Sequence, residues 1–228
     1  KVAHILTKQE QHGWYFDETK GQQLESHLRR EMEELVEILR KQFPLIGGKM
    51  FTPKRNNASQ GYVEGAELQR LVEFNPTSRD HIAWILKNRL KITLTQTTKT
   101  GKPIIDEITL TEISNPFCKL CAKALDLKKK LGMISQGVNA WLRLCTNSRI
   151  HHHCSVSTNT FRCAHRKPNV AQSPAEKEFR ELFTASPGNI MVGADLSGIE
   201  LRMLAHYLGR YDGGRYADIL LNDDIHQV

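Results

Sequence analysis

No apolar run in the 228-residue sequence approaches the roughly 18 residues that a membrane-spanning helix needs. The first residues, KVAHILTKQEQ, lack the apolar stretch and small-residue cleavage site of a secretory signal. The cysteines, at positions 118, 121, 145, 154 and 163, are odd in number and fit no disulfide framework. Reduced thiols in a cytosol are the expectation. Ser197–Gly198 lacks the G-x-S-x-G frame of a nucleophile elbow. Gly47–Gly48–Lys49 lacks the upstream glycine of a phosphate loop, and Met50 stands where a magnesium-binding Ser or Thr belongs.

Acids are scarce over one long stretch. From Ser114 to Ala175, Lys or Arg occurs at 119, 123, 128, 129, 130, 143, 149, 162, 166 and 167, against the single acid Asp126. That segment alone exceeds the net charge of +7 of the whole chain. A continuous basic groove for phosphates is one reading, and a solvated helix face with a polar loop is the other. Apolar residues at 39% and charged residues at 25% predict a folded protein rather than a disordered one.

Periodicity predicts a helix from residue 18 to about 43, capped by Asp17, with Leu24, Leu28, Met32, Leu35 and Leu39 on one face. Glu25–Arg29 and Glu37–Lys41 are favourable i,i+4 pairs on that helix. Residues 44–73 read as a loop or small subdomain. A helix is expected near Ser78, with Thr77 and Asp80 at capping-box spacing. Residues 92–110 read as extended. Another helix covers about 116–131, with Phe117, Leu120, Ala124, Leu127 and Leu131 inward and its lysines on the other face. A short helix or strand is expected around Trp141–Leu144, and a helix over Glu176–Phe183. Residues 147–175 read as polar and weakly periodic.

His151, His152, His153, Cys154, Cys163 and His165 could suggest zinc. Structural zinc sites usually use two ligand pairs at short, defined spacing. The Cys118–Cys121 pair lies within an amphipathic helix, where it reads as core filler.

The last informative stretch is IMVGADLSGIELRMLAHYLG (190–209). It predicts a buried-type strand, Ile190–Ala194, then a Ser197–Gly198 turn, then a helix over Ile199–Leu208. Asp195 at the strand's end would present a carboxylate suited to a hard cation such as magnesium. Capping of the helix is the plainer role for Asp195.

D-L-S-G-I-E-L-R resembles the first palm motif of the family A, or polymerase I-like, DNA polymerases. RCAHRKPNVAQSP (162–174) resembles that family's segment lining the primer-template duplex. YDGGRYADILLNDDIHQV (211–228), FNPTSRDH (74–81) and GVNAWLRL (137–144) are similar to stretches of the replicative polymerases of T-odd podophages. The resemblance implies an α+β, α-rich fold: a helical thumb over 1–145 and, over 146–228, the first part of a palm with a mixed sheet and helices. It implies template-directed nucleotidyl transfer from a dNTP to a primer 3′-hydroxyl, with two magnesium ions (Mg2+) in the complete enzyme.

Carried onto this sequence, the resemblance makes Asp195 a catalytic, metal-binding carboxylate and the Leu196 carbonyl a further metal ligand. Glu200 would crowd the nucleotide's 2′ position, and His226 would approach the triphosphate. Arg162, Asn169 and Gln172 would hold the duplex through sequence-tolerant contacts. Lys128, Lys129 and Lys130 are expected at DNA phosphates on charge grounds, as are Lys119 and Lys123.

There are departures. Phe161 stands where the family has the glycine of T-G-R. Residues 44–73 are short where some phage polymerases carry a thumb insertion for a host processivity factor, so that partner is not expected. Neither Tyr-Gly, from the fingers helix, nor His-Asp-Glu, with the second catalytic carboxylate, occurs in the sequence. The Asp-x-Glu of a proofreading exonuclease is also absent. One carboxylate cannot hold two magnesium ions, so the chain is expected not to polymerise DNA alone. The implied partners are primer-template DNA, dNTP and a complementary polymerase segment or subunit, with no membrane. The implied compartment is the bacterial cytosol of a phage-infected cell. A non-catalytic nucleic-acid-binding protein derived from a polymerase is the alternative, and a zinc-stabilised binding module a third.

Overall fold

A computed structural model describes residues 1–222. The chain forms two compact units, one over Lys1–Ala185 and one from Ser186 onward.

The first unit is organised by two long helices. Helix α2 (Glu18–Gln42) begins where the Asp17 carboxylate accepts a hydrogen bond from the Lys20 N–H at 3.0 Å. Its buried face is Gly21, Leu24, Leu28, Leu35 and Leu39, with Met32 partly buried beside them. The expected Glu25–Arg29 and Glu37–Lys41 ion pairs form on it. Helix α5 (Pro116–Leu131) starts at Asn115, whose side chain accepts from the Phe117 N–H at 2.9 Å. Pro116 occupies the first helical position, where a missing N–H has no consequence. The helices share one core, joined by Ile82, Ile85 and Leu86 of α3 (Arg79–Asn88) and Leu110 of α4 (Glu107–Glu112).

Aromatic side chains close the other end of that core. Trp141, on the short helix α6 (Trp141–Leu144), lies edge-on to Phe183 with ring centres 5.0 Å apart, and to Phe16 at 6.2 Å. A Cβ at Gly21 would stand 3.0 Å from the Phe16 ring, a tight contact that the glycine avoids. Helix α1 (Val2–His12) buries none of its residues. Its C-terminal turn is held by the Arg149 guanidinium, which donates to the His12 carbonyl at 3.2 Å, a favourable cation position.

The sheets are small and antiparallel. Strands β1 (Trp14–Tyr15), β4 (Cys145–Thr146) and β5 (Arg149–Ile150) form one sheet in the order β1-β5-β4. β2 (Leu45–Phe51) pairs with β3 (Leu68–Glu73). Residues 44–73 are therefore a hairpin with a wide connection, where composition suggested only a loop or subdomain. β6 (His153–Ser155) pairs with β7 (Ala164–Arg166), with Cys154 opposite His165. The short helix α7 (Lys177–Arg180) replaces the longer helix expected over Glu176–Phe183.

Two further expectations are corrected. Residues 92–110 are extended only in part: Thr97 bridges Pro103, but the Asp106 carboxylate caps α4 by accepting from the Thr109 N–H at 2.8 Å. The cap on α3 is Ser78, which accepts from His81 N–H, one residue beyond Thr77.

The second unit has helices α8 (Ile199–Asp212) and α9 (Arg215–Asn222). Gly213 and Gly214 have φ of 66° and 89° between them, a left-handed turn natural only to glycine. The Asp212 carboxylate accepts from the Gly214 and Tyr216 N–H groups and starts α9. The expected strand Ile190–Ala194 does not form; these residues are irregular and exposed, Ile190 at 86%. A central strand satisfies its backbone only beside a neighbouring strand, and no strand among the described residues pairs with this one.

Candidate functional site

The basic face of α5 meets the start of α3. An open cavity of about 910 Å3 is lined by Thr77, Ser78, Arg79, Lys102, Lys128 and Lys129, among others. The loop before α3 is self-bonded: Asn75 Oδ1 accepts from both the N–H and hydroxyl of Thr77. Lys128 Nζ donates to the Thr77 carbonyl at 3.0 Å. FNPTSRDH and the lysine run, 51 residues apart between Thr77 and Lys128, therefore form one surface. Lys102 offsets the Asp80 carboxylate at 3.0 Å. Helix α3 adds the positive end of its dipole to that surface.

The lysines of α5 differ in their surroundings. Lys128 and Lys129 are exposed. Lys123 pairs with Glu31 at 2.6 Å. Lys130 is held between Asp126 at 2.8 Å and Glu176 at 2.7 Å, with its side chain 16% exposed. Burial lowers the Lys130 ammonium, but hydrogen bonds and charge from both carboxylates outweigh it and leave the pKa raised. The Lys130 hydrogen bond holds the Glu176 carboxyl below its ordinary value.

The hairpin β6–β7 leads into the second element. Arg162, Asn169 and Gln172 are all exposed, Arg162 just before β7 and the other two just after it. Between Thr158 and Arg162 the chain turns tightly: Thr158 Oγ1 donates to the Arg162 carbonyl at 2.9 Å. Phe161 sits in this turn with φ 57° and its side chain 80% exposed. The residue aligned with the glycine of T-G-R therefore adopts the backbone that glycine favours.

The third element is the turn before α8. Gly198, at φ 59°, caps α8 without a side-chain bond, so Asp195 is not its cap. The Asp195 carboxylate is exposed and has no hydrogen-bond or ion-pair partner among the described residues. The Leu196 carbonyl accepts from the Ile199 N–H at 3.3 Å, leaving a second lone pair for another donor or a cation. Arg202 Nε donates to the Ser197 carbonyl at 2.8 Å and braces the turn. Glu200 lies exposed on the first turn of α8. His226 lies outside the described residues.

A cluster of His152, Cys154 and His165 also forms, with ligand atoms all within 4.8 Å of one another. Burial and the neighbouring His165 ring lower the pKa of the His152 imidazole. The i,i+2 pairs were visible in the sequence; the strand register that joins them was not.

The chain shares the fold of a polymerase POL domain. It matches the POL domain of Pol1 from M. smegmatis, solved in complex with DNA primer-template and dNTP, with a TM-score of 0.66 and 21% identity. That match covers 99% of this chain and 36% of the mycobacterial one. The chain belongs to DNA polymerase family A, whose family model matches residues 49–227. It is 30% identical to the DNA-directed DNA polymerases of Escherichia phage T7 and Enterobacteria phage T3, across 99% of this chain and 41% of each relative. The chain thus spans about two fifths of the length of these phage relatives. No helix among the described residues is long and apolar enough to cross a membrane.

Proposed function

We propose that this chain supplies the thumb, over 1–145, and the first part of the palm, over 146–228, of a template-directed DNA polymerase acting in the cytosol of a phage-infected bacterium. The carrying observation is the Asp195 carboxylate: exposed, without a partner among the described residues, and set on the D-L-S-G-I-E-L-R turn by Gly198 and the Arg202 bond. An unpaired carboxylate beside a carbonyl with a spare lone pair fits a magnesium ion, which takes few protein oxygens. Asp195 and the Leu196 carbonyl would hold it. Such ions lower the pKa of an attacking hydroxyl and neutralise charge on a triphosphate.

This chain's own residues do the rest of the work assigned to them. Lys128, Lys129 and the start of α3 hold duplex phosphates in the cavity they line. Lys130, locked between two carboxylates, supports the end of α5 and adds less to that contact. Arg162, Asn169 and Gln172 hold the primer-template duplex through contacts that tolerate any sequence. Glu200 crowds the 2′ position of an incoming dNTP, and His226 approaches its triphosphate. A second carboxylate and a fingers helix come from a complementary segment or subunit. The exposed apolar residues of α8, Met203, Leu204, Tyr207 and Tyr211, suit a face that such a segment covers.

The test is Asp195→Ala in the completed enzyme. Nucleotide incorporation should be abolished while duplex affinity stays nearly unchanged. Full incorporation by that variant overturns the metal assignment. Duplex binding by the completed enzyme with no magnesium-dependent incorporation in the wild type favours the non-catalytic DNA-binding protein.

A further inference from the structure

Buried polar atoms in folded proteins nearly always have partners, and each exception calls for a water, an ion or a functional reason. Five buried side-chain nitrogens among the described residues lack one. Three of these belong to a single cluster: both ring nitrogens of His152 and Nδ1 of His165. His152 is fully buried, at 0% exposure, and its ring stacks on that of His165 with centres 5.1 Å apart. None of the three nitrogens has a donor or acceptor that justifies its burial there.

The hairpin explains what the two rings share. Cys154 lies directly opposite His165 in the β6–β7 register. Side chains two residues apart on a strand point to the same face. Cys154 and His165 therefore share one face of the hairpin, with His152 just before β6 and Cys163 just before β7. By continuation of that register Cys163 lies diagonal to Cys154, and neither cysteine is in a disulfide. The ligand atoms of His152, Cys154 and His165 all lie within 4.8 Å of one another, as around a single missing atom, with Cys163 next to that set.

We propose that His152, Cys154, Cys163 and His165 bind one structural zinc ion in this protein. Two nitrogens and two sulfurs in tetrahedral arrangement are a donor set that selects zinc. The ligands come as two short pairs, His-x-Cys and Cys-x-His, one pair at the start of each strand of the hairpin. Binding displaces one proton from each cysteine thiol into solvent, and the metal–thiolate bonds form as the protons leave. The Glu10 carboxylate, bonded to His153 Nδ1 at 3.0 Å, lies beside the site and ties it to α1. The zinc would fasten both strands of the hairpin that carries Arg162 at one end of β7 and leads to Asn169 and Gln172 at the other. That consequence for DNA rests on the function proposed above; the zinc site itself does not.

The experiment is metal analysis of the untagged protein purified without chelator, followed by cobalt substitution. One zinc per chain is expected. Cobalt should give the intense visible bands of a tetrahedral site and a thiolate charge-transfer band. Cys163→Ser alters an exposed residue that the core does not need. It should lower zinc affinity at least about 100-fold, beyond the range seen for loss of an outer-shell partner, and weaken the charge-transfer band. Cys145→Ser should leave one zinc in place. Wild-type protein without stoichiometric zinc, or cobalt bands unchanged in Cys163→Ser, overturns the site. So does a Cys154–Cys163 disulfide in protein prepared anaerobically. DNA affinity enters none of these readouts, so failure of the polymerase reading leaves this test intact.

Discussion

The two compact units solve the folding problem differently. The first buries Trp141, Phe16, Phe74, Phe179 and Leu39 completely. In the second, Ala205 and Leu220 are the buried apolar residues among those described, while Val192, Tyr207 and Tyr211 are 81%, 63% and 82% exposed. Apolar burial is the main favourable term in folding. The first unit therefore holds most of the apolar burial that stabilises the chain. The second is ordered by local devices: the Gly198 cap, the Arg202 bond and the Asp212 cap. The residues proposed for chemistry lie in the unit that contributes least to stability, and those proposed for duplex binding lie on the unit that contributes most.

The sharpest way to break that comparison is a pair of truncations. Trp141→Ala should destabilise the chain by about 3–5 kcal/mol, the range for emptying an aromatic core site. Leu204→Ala on α8 should change stability by no more than about 0.5 kcal/mol, as surface substitutions do. Urea unfolding of both variants measures the difference. Equal losses would show that the second unit shares a cooperative core with the first.

Next in size is the salt dependence of duplex binding. Lys128→Ala with Lys129→Ala should reduce the slope of log affinity against log salt by about 1.8, or about 0.9 for each phosphate that is no longer neutralised. Lys130→Ala alone should leave that slope unchanged, because its ammonium is already engaged by Asp126 and Glu176. A drop of similar size for Lys130→Ala would restore it to the binding face.

What could be read from the residues follows the same division. The 3- and 4-residue steps of Leu24 to Leu39 and of Phe117 to Leu131 lie in helices that bury one face, so periodicity placed both. Asp17 could be identified as a cap because its partner is three residues away. The hairpins β2–β3 and β6–β7 were missed because pairing joins residues far apart and their strands alternate poorly; β2 itself contains Gly47 and Gly48. Ile190–Ala194 misled for the opposite reason: its apolar run is that of a covered strand, but the cover is not among the described residues. Lys130 looked like its two neighbours, since nothing local announces Glu176, which lies 46 residues on in the sequence and bonds to it at 2.7 Å.

Phe161 offers a smaller test, on the firmer unit. A bulky residue at φ 57° costs about 1–2 kcal/mol. The side chain is 80% exposed and has little packing to lose. Glycine would relieve the backbone but lose about 0.5–1 kcal/mol to its greater freedom in the unfolded chain. Phe161→Gly should therefore stabilise by about 0.5–1 kcal/mol in thermal unfolding. A loss of stability would mean that the ring makes contacts its exposure conceals, or that the turn does not hold this backbone in solution.

The smallest effect is a pH dependence in the link between α5 and α7. The Lys130 hydrogen bond holds Glu176 below its ordinary value of 4.5. A depressed carboxyl contributes stability that is fully present above the unfolded value and is lost as pH falls through the folded one. Lys130 is raised, so its share is fully present below its unfolded value and is lost as pH rises through the folded one. The pair therefore helps most at neutral pH. Glu176 is half exposed, so screening keeps the contribution below about 1 kcal/mol. Glu176→Gln should lower stability slightly at neutral pH and flatten the acid limb of the curve below 4.5. Asp126 still faces Lys130 in that variant, so the alkaline limb should shrink without vanishing. An acid limb identical to wild type would show that Glu176 is solvated rather than bound, leaving Asp126 as the carboxylate that holds Lys130.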